Sequence, residues 1–315
     1  MMNRRHWLGI TGGAGAALGL NPRLLAALSS QQLLTRAVPS TGERLPLIGL
    51  GSSATFAQVA RSEDSSALRE VFRAMTDKGA TVFDTAPSYG SSGQVAGDIA
   101  AELGISDKVF WATKMNVAQG PNAPADAARA REQVETSLKR LRKRPVDLIQ
   151  VHGPIDMPTQ LGVLKEVKKA GRIRYIGVTS TSKSQYEEME RLMRSEPLDF
   201  IGIDYAIDNR SVEERILPAA ADRGIGTLIY LPFGRTRLWK RVAGRPVPEW
   251  AKEFDAHTWG QFFLKFVAAD PRVTVITPAT SRAANMTDNL GAAVGRLPDA
   301  AMRKRMIAHV EALPA

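Results

Sequence analysis

VFWATK at 109–114 and VDLIQV at 146–151 decide how this chain is read. Both are short apolar runs rich in β-branched and aromatic residues, the composition of buried strands. Each leads to a titratable side chain at its C-terminal end, Lys114 in the first and His152 just after the second. Between them Val134, Leu138 and Leu141 recur at helical spacing. The same alternation extends outward in both directions. LPLIGL (45–50), TVFDT (81–85), RIRYIGV (172–178), LDFIGI (198–203), GTLIYL (226–231) and VTVIT (273–277) have the same strand character. Helical patterns separate them. Leu68, Val71, Phe72 and Met75 precede a stop at Gly79, and Leu161, Leu164 and Val167 precede one at Gly171. Tyr186, Met189 and Leu192 form another such face, and Ser211-Val-Glu-Glu214 reads as a capping box for a helix that closes at Gly224.

Eight strands alternating with helices imply parallel βαβ units. An eight-stranded barrel and a doubly wound sheet compete as closures. No G-x-G-x-x-G follows a strand, so the (β/α)8 barrel is expected. Length alone, at roughly 150 residues per domain, would suggest two domains in 315 residues. A barrel uses about 250 residues as one domain. No linker or shift in composition interrupts residues 45–295. The longest irregular stretch, 233–255, carries Arg235, Arg237, Trp239, Arg241, Arg245 and Trp250, and long loops in compact domains are often functional.

Composition narrows the chemistry. Apolar residues make up 44% and charged residues 23%, ordinary globular usage. The absence of cysteine excludes disulfides, iron–sulfur clusters, thiolate zinc sites and a cysteine nucleophile. Lysine and arginine exceed acids by 10, which opens nucleic acid, membrane surfaces and anionic ligands as partners. Part of that excess has another source. Residues 1–29 hold Arg4, Arg5 and Arg23 and no acid, with an apolar Gly/Ala-rich run and small residues following the paired arginines. This is the layout of an export signal, and the arginine pair resembles the twin-arginine type that moves folded proteins. Asn3, Trp7 and Gly9 depart from its usual pattern. A periplasmic protein is therefore expected, with residues 1–29 as signal and 30–315 as barrel. Without the signal the net charge is +7. The basic run LKRLRKR (138–144) sits at a helix C-terminus, where cations complement the macrodipole, and no aromatics interleave it for base stacking. No nucleic-acid partner is expected. No metal is expected either, because His152 alone of the four histidines ends a strand.

In a barrel the reactive groups stand at the C-terminal strand ends. In chain order these ends supply Asp84, then Tyr89 from the following loop, then Lys114 and His152. A phenol holds its proton at neutral pH, a nearby ammonium stabilises its anion, and a carboxylate anchors the ammonium. With an imidazole to orient a carbonyl, the four make a general acid aimed at an oxygen gaining negative charge.

FDTAPSYG (83–90), ATKM (112–115), QVHGP (150–154), IGVTS (176–180), LIYLPFG (228–234) and TPATSRAANMTDN (277–289) occur in that order. Together they resemble the aldo-keto reductase family over residues 34–295. The segment TRAVPSTGERLPLIGLG (35–51) is similar to that family's N-terminal hairpin and first strand. The resemblance implies a single-domain (β/α)8 TIM barrel with an N-terminal β-hairpin and a C-terminal helix. It implies reduction of an aldehyde or ketone with NADP(H), NAD(H) being the alternative, and a small-molecule carbonyl substrate for a monomer. The family's catalytic residues fall on Asp84, Tyr89, Lys114 and His152, with Tyr89 as proton donor. Its cofactor contacts fall on Gly51, Ser52, Thr179, Ser180, Tyr230, Leu231, Pro232, Phe233, Gly234, Thr280, Arg282 and Asn289. Thr179-Ser180 stands where the family has Ser-Asn, and Gly202 where it has glutamine. Both changes remove amide partners for a nicotinamide. A barrel that binds or senses the nucleotide with little turnover is the alternative function. A glutamine restored at 202 is expected to tighten nicotinamide binding.

Overall fold

The computed structural model describes residues 32–62, 64–118, 120 and 124–314; the expected export signal lies outside them. Strands β1 (Thr35–Ala37) and β2 (Arg44–Pro46) form an antiparallel hairpin. Eight parallel strands follow: β3 (Leu50–Gly51), β4 (Val82–Asp84), β5 (Phe110–Met115), β6 (Val146–His152), β7 (Ile173–Ser180), β8 (Phe200–Asp204), β9 (Gly226–Tyr230) and β10 (Val275–Ile276). Each pairs with the next in chain order. Parallel bridges Ile48–Ile276 and Gly51–Ala279 join the first to the last and close the barrel. Gly51 is needed there, since a Cβ would stand 2.5 Å from the Thr277 carbonyl oxygen. Among the described residues no helix is long and apolar enough to cross a membrane.

Period-two alternation sorts the strand residues into two cores. Val82, Phe110, Ala112, Leu148, Tyr175, Phe200, Leu228 and Val275 pack together inside the barrel. Their neighbours Phe83, Trp111, Ile149, Ile176, Ile201 and Ile229 face outward into the layer beneath the helices. There they meet the expected faces, including Leu68–Met75, Leu161–Val167 and Tyr186–Leu192. Each such side chain contributes about 1.5–3 kcal/mol on burial. The hairpin adds Val38 and Leu45 to the inner cluster. Its Thr41 hydroxyl lies 2.8 Å from the Tyr175 hydroxyl, and Glu43 accepts from Tyr175 (2.6 Å) and Arg174 (2.5 Å). The hairpin thus closes the end of the barrel opposite the C-terminal strand ends.

Local differences from expectation have local causes. The apolar run 45–50 divides, because Pro46 has no N–H for a ladder and the chain passes there from hairpin to barrel. The capping box at Ser211 does not form: residues Ser211–Glu213 make a 3₁₀ turn, and the α-helix begins at Ile216. Ser211 instead bonds Asn209 (3.1 Å) and Tyr186 (2.9 Å), and Glu213 accepts from Arg303 (2.7 Å). The loop 233–255 contains a helix, Arg237–Val242, and a 3₁₀ segment, Glu249–Phe254. In the basic run, Arg142 pairs with Asp98, and Lys143 donates to Asp147 (2.9 Å) and the Val109 carbonyl (2.8 Å). A C-terminal helix spans Ala300–Glu311.

Candidate active site

The barrel register sets the polar strand ends at one level. Gly51 pairs with Asp84, Lys114 with Gln150, His152 with Thr179 and Asp204 with Tyr230. Asp84, Lys114, His152, Thr179 and Tyr230 continue the inward-facing sets of their strands past the apolar plug. They line one cavity of about 980 Å³.

Lys114 is the deepest charge. Its side chain is 1% exposed and that of Asp84 4%. Its Nζ donates to Asp84 Oδ2 at 2.6 Å and to the Thr85 carbonyl at 2.9 Å. Two of its three donors are thereby fixed, as a buried ammonium requires. Burial pushes the Asp84 carboxyl up from the usual range, while Lys114 and the Tyr230 hydroxyl pull it down.

Tyr89 arrives on a separate element, the 3₁₀ turn Pro87–Tyr89 between β4 and the helix Ser92–Glu102. The Ser92 hydroxyl pins this turn, lying 2.9 Å from the Tyr89 carbonyl and 3.1 Å from the Ser52 carbonyl. Lys114 Nζ stands 5.2 Å from the Tyr89 ring centroid, and the His152 ring meets it edge-on at 6.0 Å. Burial raises the phenol above its ordinary value, with Lys114 and Arg235 opposing and Asp84 assisting. The ammonium thus moderates the shift rather than bringing the phenol below its free value. His152 is pushed down to about 4, first by burial and then by Lys114. Its ring is therefore neutral at neutral pH.

The remaining expected residues occupy the same cavity, with Gly234 the exception. Gly234 serves its turn: at φ +56° it avoids a Cβ that would lie 2.9 Å from the Asp208 carboxylate oxygens and Arg237 Nη2. Leu231 (φ 53°) and Arg235 (φ 60°) in the same loop also adopt left-handed backbone, at about 1–2 kcal/mol each. Ser52 is buried on the cavity wall and its Oγ has no partner among the described residues. At another part of the wall, Thr280 Oγ1 accepts from the Arg282 backbone N–H (3.1 Å), and the helix Ala283–Gly291 starts directly after with no side-chain cap. Arg282 and Arg235 have no ion-pair partner among the described residues, and both line the cavity.

Two residues escaped the sequence argument, and a third, Trp239, is named there only as part of the long loop 233–255. Gln185 lines the cavity, and its Oε1 accepts the Ser180 hydroxyl at 2.6 Å, so that hydroxyl is already engaged. Gln150 is buried beneath the cavity and donates to the Tyr230 hydroxyl at 2.9 Å. Its signal was available, since it shares the inward face of its strand with His152 two positions on. Trp239, 41% exposed, stands at the cavity wall beside Phe233, ring centroids 4.8 Å apart. Its place depends on a helix that no periodicity announced. Gly202 has a spatial role: a Cβ there would meet Tyr230 Cε2 at 2.4 Å and its hydroxyl at 2.8 Å. A glutamine at 202 would displace Tyr230, so the expected gain in nicotinamide binding does not follow.

The family model of the aldo/keto reductases matches residues 47–307. The chain belongs to the aldo/keto reductase family. Aldo-keto reductase YhdN of Bacillus subtilis is 37% identical over 201 residues, 61% of this chain and 60% of that protein. A probable aldo-keto reductase 1 of Glycine max is 25% identical over 268 residues, covering 72% and 75%. Among solved structures, an aldo-keto reductase from Klebsiella pneumoniae in complex with NADPH superposes with a TM-score of 0.72 at 22% identity, over 88% of this chain and 95% of that one. The holo form of AKR11C1 from Bacillus halodurans gives 0.71 at 20%, over 88% and 96%. At these identities the solved structures show the barrel fold, and the family model carries the membership.

Proposed function

We propose that this chain is an NADP(H)-dependent oxidoreductase that reduces an aldehyde or ketone to an alcohol. The convergence of Asp84, Tyr89, Lys114 and His152 on one cavity carries this reading. The NADPH complex of the Klebsiella relative supports the cofactor. The donor set suits a nicotinamide dinucleotide. Ser52 Oγ offers an unused buried hydroxyl, the half-buried Tyr230 ring offers a wall for an aromatic ring, and Arg282 with the N–H groups opening Ala283–Gly291 offers an anion site. Gly51, Thr179, Leu231 to Phe233, Thr280 and Asn289 complete the wall, with Gln185 offering the amide that Ser180 lacks. When bound, the nicotinamide supplies a hydride to the carbonyl carbon.

The protein's own groups manage the proton. The Tyr89 hydroxyl delivers it to the carbonyl oxygen as negative charge develops there. Neutral His152 donates a hydrogen bond to that oxygen and orients it. The Lys114 ammonium, held by Asp84 and the Thr85 carbonyl, stabilises the phenolate that remains. Binding of NADPH and NADH followed by fluorescence, then oxidation with a panel of aldehydes such as nitrobenzaldehyde, tests the assignment. Tight NADPH binding with turnover is expected. Binding without oxidation across a broad carbonyl panel would instead support a nucleotide-sensing barrel, which the committed Ser180 hydroxyl and the absent side chain at 202 favour.

The export reading rests on Arg4, Arg5 and the apolar run after them. A barrel that folds around its nucleotide before crossing the membrane suits a pathway for folded proteins. Fractionation should place the protein in the periplasm, and mass spectrometry of the native protein should find a nicotinamide nucleotide with it. A purely cytoplasmic, full-length product would overturn the localisation.

A further inference from the structure

We propose that Gln150 is a positioning residue for the proton donor: it fixes which way the Tyr230 phenol proton points, and through Asp84 and Lys114 this sets how firmly Tyr89 holds its own proton. Gln150 lies in β6 and is fully buried. Its Nε2, a group that only donates, stands 2.9 Å from Tyr230 Oη. That oxygen therefore accepts from Gln150, and its own proton is directed to Asp84 Oδ1, 3.3 Å away. The other oxygen of Asp84 holds Lys114 at 2.6 Å. The result is a directed chain, Gln150 to Tyr230 to Asp84, meeting Lys114 at the carboxylate. Gly202 makes room for it, since any side chain there would push the Tyr230 ring away.

The chain is not explained by stability. Gln150 Oε1 is buried and has no partner among the described residues. An unsatisfied buried amide oxygen costs about 1–3 kcal/mol, a penalty that a leucine of similar size would not incur. What the amide provides is the direction of one proton. A phenol donating to Asp84 draws carboxylate charge away from Lys114, so more of the ammonium charge is left to act on Tyr89. Both effects reach Tyr89, whose phenol is lowered by Lys114 and raised by Asp84. Loss of the Gln150 amide frees the Tyr230 hydroxyl to turn, and Tyr89 then holds its proton more tightly.

The inference rests on Tyr89 being the proton donor, yet its test needs neither cofactor nor substrate. The full-length protein is labelled with ¹³C at tyrosine Cζ, its five tyrosines are assigned by single phenylalanine substitutions, and Tyr89 is titrated. Gln150→Leu and Tyr230→Phe should each raise the Tyr89 midpoint by about half a pH unit or more. Gln150→Asn, whose shorter amide cannot reach Tyr230, should do the same and stands in if the leucine variant does not fold. In the Tyr230→Phe background, Gln150→Leu should add nothing, because its effect passes through that hydroxyl. A Tyr89 midpoint unmoved by these variants overturns the proposal, even if their melting temperatures change. So does a Gln150 effect that persists without the Tyr230 hydroxyl. Failure of the reductase assignment would appear separately, as nucleotide binding without oxidation across the carbonyl panel, and failure of Tyr89 as the proton donor as turnover retained in Tyr89→Phe.

Discussion

Replacing Tyr89 with phenylalanine should lower kcat for carbonyl reduction by about a thousandfold, or ~4 kcal/mol of transition-state stabilisation. The ring stays, so its edge-on packing against His152 and the pinned turn Pro87–Tyr89 are kept. Only the hydroxyl proton is lost. The neutral His152 ring can still polarise a carbonyl, which leaves residual rate rather than none. NADPH affinity should remain within about threefold, because the substitution removes a proton donor and little surface. Steady-state kinetics beside a fluorescence titration separate the two effects. Turnover like that of the native protein would reject Tyr89 as the acid.

Lys114→Met has the second large effect, and it reaches stability as well as rate. The ammonium and the Asp84 carboxylate are 2.6 Å apart and almost wholly buried. Removing one partner of such a pair leaves an uncompensated buried charge and costs about 3–5 kcal/mol. Asp84 escapes part of that penalty by taking up a proton, since burial already pushes its carboxyl up and Lys114 no longer opposes. The sign of the pH dependence follows. With its pKa raised in the folded state, Asp84 binds more protons folded than unfolded, so the variant loses stability as pH rises through that interval. Urea unfolding should show the deficit growing as pH rises above the ordinary carboxylate range. Asp84→Asn combined with Lys114→Met should recover part of the stability and none of the activity, because no cation then faces Tyr89. A deficit that does not change with pH would contradict the buried-charge account.

Much of this site was legible in the chain. Strand ends can be read from apolar runs, and the polar residue closing each run is placed by the barrel rule at one rim. Asp84, Lys114 and His152 were reached that way, and Tyr89 by its nearness to Asp84 in the chain. Period two would also have singled out Gln150, which shares the inward face with Leu148 and His152. Other features were illegible for physical reasons. The Ser180 hydroxyl is engaged by Gln185 through a turn whose shape depends on the packed chain around it. Gly202 looked like a missing amide and is a space filled by a ring from the neighbouring strand. The run LKRLRKR reads as cations at a helix C-terminus; that Arg142 and Lys143 are held by Asp98 and Asp147 depends on partners the run itself does not contain.

Hydrophobic periodicity and the order of motifs determined the eight parallel strands, the one-domain use of the length and the identity of the four convergent side chains. Those properties are local, fixed by which residues alternate and which end a strand. The tertiary structure alone decided the balance of charge among them. Burial, not the ammonium, dominates Tyr89, and His152 is neutral because it is desolvated beside Lys114. The proton of Tyr230 has a direction only because three strands bring Gln150, Asp84 and the open place at Gly202 around one hydroxyl. Desolvation and hydrogen-bond direction depend on neighbours distant in the chain, and no one-dimensional pattern encodes them.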